Sequence, residues 1–109
     1  MNKSNESIID VYKALGDHTR YSILKLISSK GNRLCVTEIA NNIGASQPVV
    51  SQHLKILKNA GIVDTDRIGN RIHYSIQPDI LDNLQSEIKS LLKFTSDKCI
   101  KKECPKLYV

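Results

Sequence analysis

Apolar residues along this chain recur in two rhythms, and the change of rhythm marks out the elements. Ile8, Ile9, Val11, Tyr12 and Leu15 fall at helical spacing and predict a first helix over Ser4 to Leu15. Gly16 and Asp17 interrupt it. Asp17 is placed to cap a second helix, which carries Tyr21, Ile23, Leu24, Leu26 and Ile27 on a broad buried face and stops near Gly31. A short apolar "LCV" follows. Thr37 is then placed to cap a third, short helix, "EIANNIG", with Ile39 and Ile43 inward and Gly44 ending it. Ser46 caps a fourth, within "SQPVVSQHLKILKNAGIV". Its Pro48 falls in the first turn, where a missing N–H costs nothing; Val50, Leu54 and Leu57 form the inner stripe, and Gly61 is the stop. The third helix, the tight turn at Gly44 to Ser46 and the fourth helix make a helix-turn-helix.

The rhythm then shortens to two. Ile72, Tyr74 and Ile76 alternate with Arg71, His73 and Ser75, as in a half-buried strand, and Gly69 and Asn70 supply the turn of a hairpin. Pro78 opens a last helix with Ile80, Leu81, Leu84, Ile88, Leu91 and Leu92, apolar as far as Phe94. The order is four helices, a hairpin and a helix. That predicts a mainly α fold with a small β-hairpin wing, a winged helix-turn-helix. It forms one domain over residues 1–109, and residues 98–109 make a basic, cysteine-containing tail expected to be poorly ordered unless something ties it down.

Composition adds a sign to this outline. The chain of 109 residues has a net charge of +5 and a pI of about 9.2. Such an excess suits a polyanionic partner, nucleic acid first and an anionic membrane surface second, although a solvated basic surface has the same composition. No apolar run approaches the ~20 residues of a membrane helix, so no membrane partner is expected. The N-terminal "MNKSNESIIDVYKALGD" lacks the apolar core and cleavage site of a secretory signal, so the expected location is cytoplasmic. Three cysteines, Cys35, Cys99 and Cys104, are an odd count that argues against a disulfide framework. They leave core thiols, a metal site or a redox sensor.

The fourth helix carries the chemistry. A major groove admits one α-helix and displays donors and acceptors on base edges. Ser46, Gln47, Val49, Ser51, Gln52 and His53 are candidates for base edges or phosphates, and Lys55 and Lys58 for phosphates. No acid lies between Ser46 and Val63. The hairpin adds Arg67, Asn70 and Arg71, a wing for backbone or minor groove, while Asp64 and Asp66 near its base weaken the field. Double-stranded DNA is the expected partner, with no cofactor required to bind it. There is no Gly-rich phosphate loop, paired-carboxylate motif or nucleophile elbow, so an enzyme is not expected. A winged helix that binds only protein is the other class; the intact polar face from Gln47 to Lys55 speaks against it.

"ALGDHTRYSILKLI", "LCVTEIA", "SQPVVSQHLKILKNAGIV" and "RIGNRIHYSI", in this order and spacing, resemble the ArsR/SmtB family of metal-sensing repressors over about two-thirds of the chain, Val11 to Ile76. The resemblance implies a homodimer whose interface is built by helices from the two chain ends, here Ser4 to Leu15 and Pro78 to Phe94. Two-fold symmetry implies a palindromic operator, with a recognition helix on each of two successive turns. It further implies a transcriptional repressor that releases DNA when a metal or metalloid binds.

The chain departs from the family at the effector. The arsenic branch has two thiols inside one short run; here "LCVTEI" keeps Cys35, with Thr37 at the second thiol position. The zinc-type branch uses His and carboxylates along the last helix; here that helix has Asp79, Asp82 and Glu87 but no His. Cys99 and Cys104 remain, roughly 140° apart on an ideal helix. With Cys35 they would make a three-sulfur site suited to As(III), Pb(II) or, with a fourth ligand, Cd(II) as inducer. Lys98, Lys101 and Lys102 would favour thiolate, which serves a redox or persulfide-sensing pair equally well. Inert packing of Cys35, and a DNA-binding regulator with no inducer, stay open.

Overall fold

The computed structural model describes the backbone of residues 2–99 and the side chains of residues 8–92. Eight elements follow one another: α1 (Asn2–Leu15), α2 (His18–Ser29), β1 (Leu34–Cys35), α3 (Val36–Ile43), α4 (Gln47–Asn59), β2 (Val63–Ile68), β3 (Arg71–Ile76) and α5 (Pro78–Cys99). The strands form one antiparallel sheet in the order β1-β3-β2. Helical and strand layers share a single core. Val11 of α1, Ile23 and Ile27 of α2, Ile39 of α3, and Val50, Leu54 and Leu57 of α4 meet there with Ile62 and Val63. Among the described residues no polar or charged residue is buried.

Local chemistry sets the boundaries. The Asp17 side chain accepts from the Arg20 backbone N–H at 3.0 Å and starts α2. Ser46 does the same for α4 through Val49, with proline in the first turn. Gly44 ends α3 in the left-handed conformation, at φ 81°, and hands the chain to α4 within two residues. Gly69 (φ 63°) and Asn70 make the two-residue turn between β2 and β3; only Gly69 takes a positive φ, as in a type II′ hairpin.

Four details differ from the expectations. The "LCV" run contributes a strand, β1, which pairs Leu34 with Tyr74 and Cys35 with His73. Asn32, itself at φ 63°, docks this segment: its side chain accepts from the Ile76 N–H at 2.9 Å and donates to the Ile76 carbonyl at 3.5 Å, imitating a ladder pair. Cys35, not Thr37, is the N-cap of α3. The Glu38 carboxylate accepts from the Cys35 N–H at 3.0 Å, and this bond pulls the helix start forward. Tyr21 is 54% exposed; it lies more than a quarter turn from the axis of the Ile23–Leu24–Ile27 stripe. Ile72 is 47% exposed because it extends past the end of β1, where no core lies beneath it.

α5 is the outlying element. Ile80 and Leu84, near its start, pack on the core, whereas Ile88 and Leu92 are exposed. Its backbone runs through Lys98 and Cys99, into the stretch expected to be tail. The radius of gyration is 17.4 Å, against about 13 Å for a compact chain of this length, and the longest extent is 58 Å.

Leu54 is fully buried at the centre of the core. Leu54→Ala should therefore lower unfolding free energy by about 2–5 kcal/mol, read by urea titration at a fixed protein concentration.

Candidate nucleic-acid interface

The candidate surface begins with the rotation of α4. Its stripe Val50, Leu54 and Leu57 is fully buried, so Ser51, Gln52, Lys55 and Lys58 stand exposed on the remaining surface. Val49, also exposed, sits in the first turn, the part of a recognition helix that meets base edges. Gln47 is exposed but engaged: its Nε2 donates to Thr37 Oγ1 at 3.3 Å, which ties the start of α4 to α3.

His53 is placed differently from the expectation. It is half-buried on the flank of α4 that faces α2. Its Nδ1 lies 3.4 Å from Arg20 Nη1 and 3.8 Å from Asp17 Oδ2. One nitrogen cannot accept from the first and donate to the second. The two contacts are alternatives: a bare Nδ1 accepts from the guanidinium, and a protonated Nδ1 faces the carboxylate. Arg20 is the centre of this joint. Its Nε donates to the Ala14 carbonyl at 2.7 Å and its Nη2 to the Lys13 carbonyl at 3.4 Å, so it also satisfies the end of α1. The Arg20 backbone N–H holds the Asp17 carboxyl below its usual value, against partial burial, and the charges of Arg20 and His53 add to the effect.

The wing stands beside α4. Arg67 and Ile68 on β2, Asn70 in the turn, and Arg71 and Ile72 on β3 are all exposed. A cleft of about 420 Å³ lies between wing and helices, lined by Cys35, Thr37, Ser51, Asn70, Arg71 and Ile72 among others. The two acids near the wing's base are engaged locally. Asp66 faces Arg33 at 3.9 Å, and Asp64 accepts from Gln77 Nε2 at 3.1 Å.

Cys35 is 3% exposed, and its Sγ accepts from Arg71 Nη1 at 3.5 Å. Glu38, beside it, has its carboxyl lowered chiefly by the Cys35 N–H, then by the Cys35 side chain and by the charges of His73 and Arg71. His73 Nδ1 is buried without a hydrogen-bond partner. Among the described residues no three His, Cys, Asp or Glu side chains come together as a metal site. Cys104 and the side chain of Cys99 lie outside the described residues.

The expectations give Thr37 a capping role but no part beside α4, and Arg20 no role at all. "LGDHTR" displays the cap at Asp17, but Arg20's partners lie six and 33 residues away in sequence.

The family model for bacterial regulatory proteins of the arsR family matches residues 17–65. An HTH-type transcriptional regulator of Methanocaldococcus jannaschii is 36% identical over 92 residues, covering 84% of this chain and 94% of that protein. The chain belongs to the arsR family. The transcriptional repressor SdpR of Bacillus subtilis is 38% identical over 85 residues, 78% of this chain and 89% of the repressor. The arsenical resistance operon repressor of Escherichia coli is 36% identical over 72 residues, 66% of this chain and 61% of that one. A homodimeric winged helix-turn-helix DNA-binding domain from Mycobacterium bovis superposes with a TM-score of 0.67 at 26% identity, covering 92% of this chain and 87% of that one. This arsR-family chain is thus a DNA-binding transcriptional regulator with a winged helix-turn-helix fold, not an enzyme. No helix among the described residues is long and apolar enough to cross a membrane.

The joint at Asp17 gives a pH signature. Its carboxyl is lowered in the folded chain, so its contribution is present above the ordinary value of 3.8 and is lost as pH falls through the lowered one. Asp17→Asn keeps a capping oxygen. Its urea midpoint should lie below the parent's near neutrality, because the charge is missing, and converge with it as pH falls below about 4.

Proposed function

We propose that this regulator is a homodimeric repressor that docks one α4 per chain in successive major grooves of a palindromic operator, with the wings on the flanking backbone. The observation that carries this reading is the acid-free polar surface of α4, Ser51, Gln52, Lys55 and Lys58, held outward by a fully buried stripe and flanked by Arg67, Asn70 and Arg71. Ile9 and Tyr12 on α1, and Ile88 and Leu92 on α5, leave apolar area exposed on the two helices proposed to pair. The homodimeric state of the Mycobacterium bovis domain supports a dimer here. Such a protein acts in the cytoplasm, and DNA binding needs no cofactor.

The proposed inducer is a thiol-binding species, As(III), Cd(II) or Pb(II), taken by Cys99 and Cys104. Cys35 is covered and occupied by Arg71, which makes it a poor landing point for an ion. The similarity to the Escherichia coli arsenical resistance repressor supports a soft-metal inducer. Inducer and DNA then oppose each other through one dimer, each weakening the other's binding by the same factor.

Two groups of variants test the DNA surface by fluorescence anisotropy on the chain's own upstream DNA. Lys55→Ala should weaken all duplexes about equally and reduce the salt slope by about one per protomer. Gln52→Ala should cost about 1–3 kcal/mol on the best site and flatten its preference over others. A parent with no salt-sensitive duplex binding would sink the proposal.

Titration of the reduced complex with arsenite, Cd(II) and then a polysulfide tests the inducer. Release by arsenite or Cd(II), abolished by Cys99→Ser or Cys104→Ser, is the expected result. Release by polysulfide alone would make the pair a redox switch. Tight binding that nothing releases would leave a regulator without an inducer.

A further inference from the structure

We infer that Cys35 is a positioning residue for the wing, holding Arg71 at the mouth of the cleft in the orientation from which its guanidinium meets a DNA phosphate. The inference rests on the proposed DNA-binding role of this surface, and it concerns a cysteine that family resemblance assigns to effector binding.

The geometry follows from the length of one strand. β1 has two residues, and its last, Cys35, stands opposite His73 of β3. Arg71 lies two positions before His73, so strand alternation puts it on the same face of the sheet as Cys35. At Val36 the chain turns away into α3, so Arg71 has no residue of β1 opposite it. Its guanidinium leans back over the strand end and donates from Nη1 to Cys35 Sγ at 3.5 Å. The sulfur is itself fixed. Cys35 caps α3, and its N–H is held by Glu38 Oε1 at 3.0 Å. One contact therefore links the wing to the first helix of the helix-turn-helix across 36 residues of sequence.

The chemistry of the acceptor matters. A neutral thiol is a weak acceptor that uses one of the five guanidinium donors and cancels none of the charge. A carboxylate here would hold the arginine more tightly and neutralise it. The exposed arginine and the covered sulfur thus divide the work: the sulfur sets direction, and the remaining fork faces a cleft also lined by Thr37, Ser51 and Asn70.

The test is the salt dependence of duplex affinity for the full-length reduced protein, measured on its own upstream DNA. Thermal midpoints are recorded for each variant. Arg71→Gln should lose about tenfold in affinity and reduce the slope of log K against log salt by about one per protomer. Cys35→Val, close in size but without an acceptor, should reduce the slope by part of the same amount. Cys35→Ser, which keeps an acceptor, should restore it. In an Arg71→Gln background Cys35→Val should add nothing to either quantity. A role in packing alone would move the thermal midpoint and leave the slope unchanged.

If Arg71→Gln reduces the slope while Cys35→Val leaves it intact, or if the two losses add independently, the inference is overturned and the DNA-binding proposal stands. If Arg71→Gln leaves slope and affinity intact, Arg71 meets no phosphate and the inference fails in the same way. If the parent protein binds no duplex, both fail together. Should Cys35→Val not fold, Cys35→Ser compared with Cys35→Ala decides the matter on the same readout.

Discussion

Val50, Leu54 and Leu57 lock the rotation of α4 about its own axis. All three are fully buried, and each contributes roughly 1.5–3 kcal/mol relative to exposure. The residue after each is Ser51, Lys55 and Lys58. A turn of about 100°, one residue, would carry these three into the core and the apolar stripe into water, with two ammonium groups unpaired in an apolar interior. The core therefore decides which side chains face outward, and the exposed polar face of α4 follows from it. Ser46 and Gly44 fix where that rotation starts; the Gln47–Thr37 bond joins it to α3.

The wing is held in another way. β3 is the central strand, but β1 supports it only at Tyr74 and His73, and beyond that β2 is its one neighbour among the described residues. Ile68, Arg71 and Ile72 near the tip have little beneath them and remain exposed. A two-residue turn with glycine in its first position keeps the tip tight and in register. Two side chains then tie the sheet to neighbouring segments: Asn32 to the end of β3, and Arg71 to the cap of α3.

Features carried by neighbouring residues were legible in the sequence. The Ser46 cap, Pro48, the inner stripe and the Gly61 stop are all written within one helix, and the alternation of β3 with its Gly69-Asn70 turn within one hairpin. Features that depend on a distant partner were not. A two-residue strand has no periodicity, and β1 exists because Tyr74, His73 and Asn32 complete it. Thr37 has the better capping chemistry, yet Glu38 reaches back to Cys35 and moves the boundary. His53 shares a polar surface with Gln52 in the sequence, but α2 supplies Asp17 and Arg20 on its side only. For the cysteines, sequence supplies three thiols and no distances; the fold covers one of them and engages it with an arginine.

Arg20 gives the molecule a mechanical property. One guanidinium closes the last carbonyls of α1 and touches the imidazole of α4, while its own backbone N–H is held by the α2 cap. Three helices meet at a single side chain, which joins α1 to α4 as two arms of one lever. A displacement applied at one end of such a lever arrives at the other as a swing of the whole arm, with every helical turn intact. Motion of this kind alters the spacing of two arms without altering the shape of either.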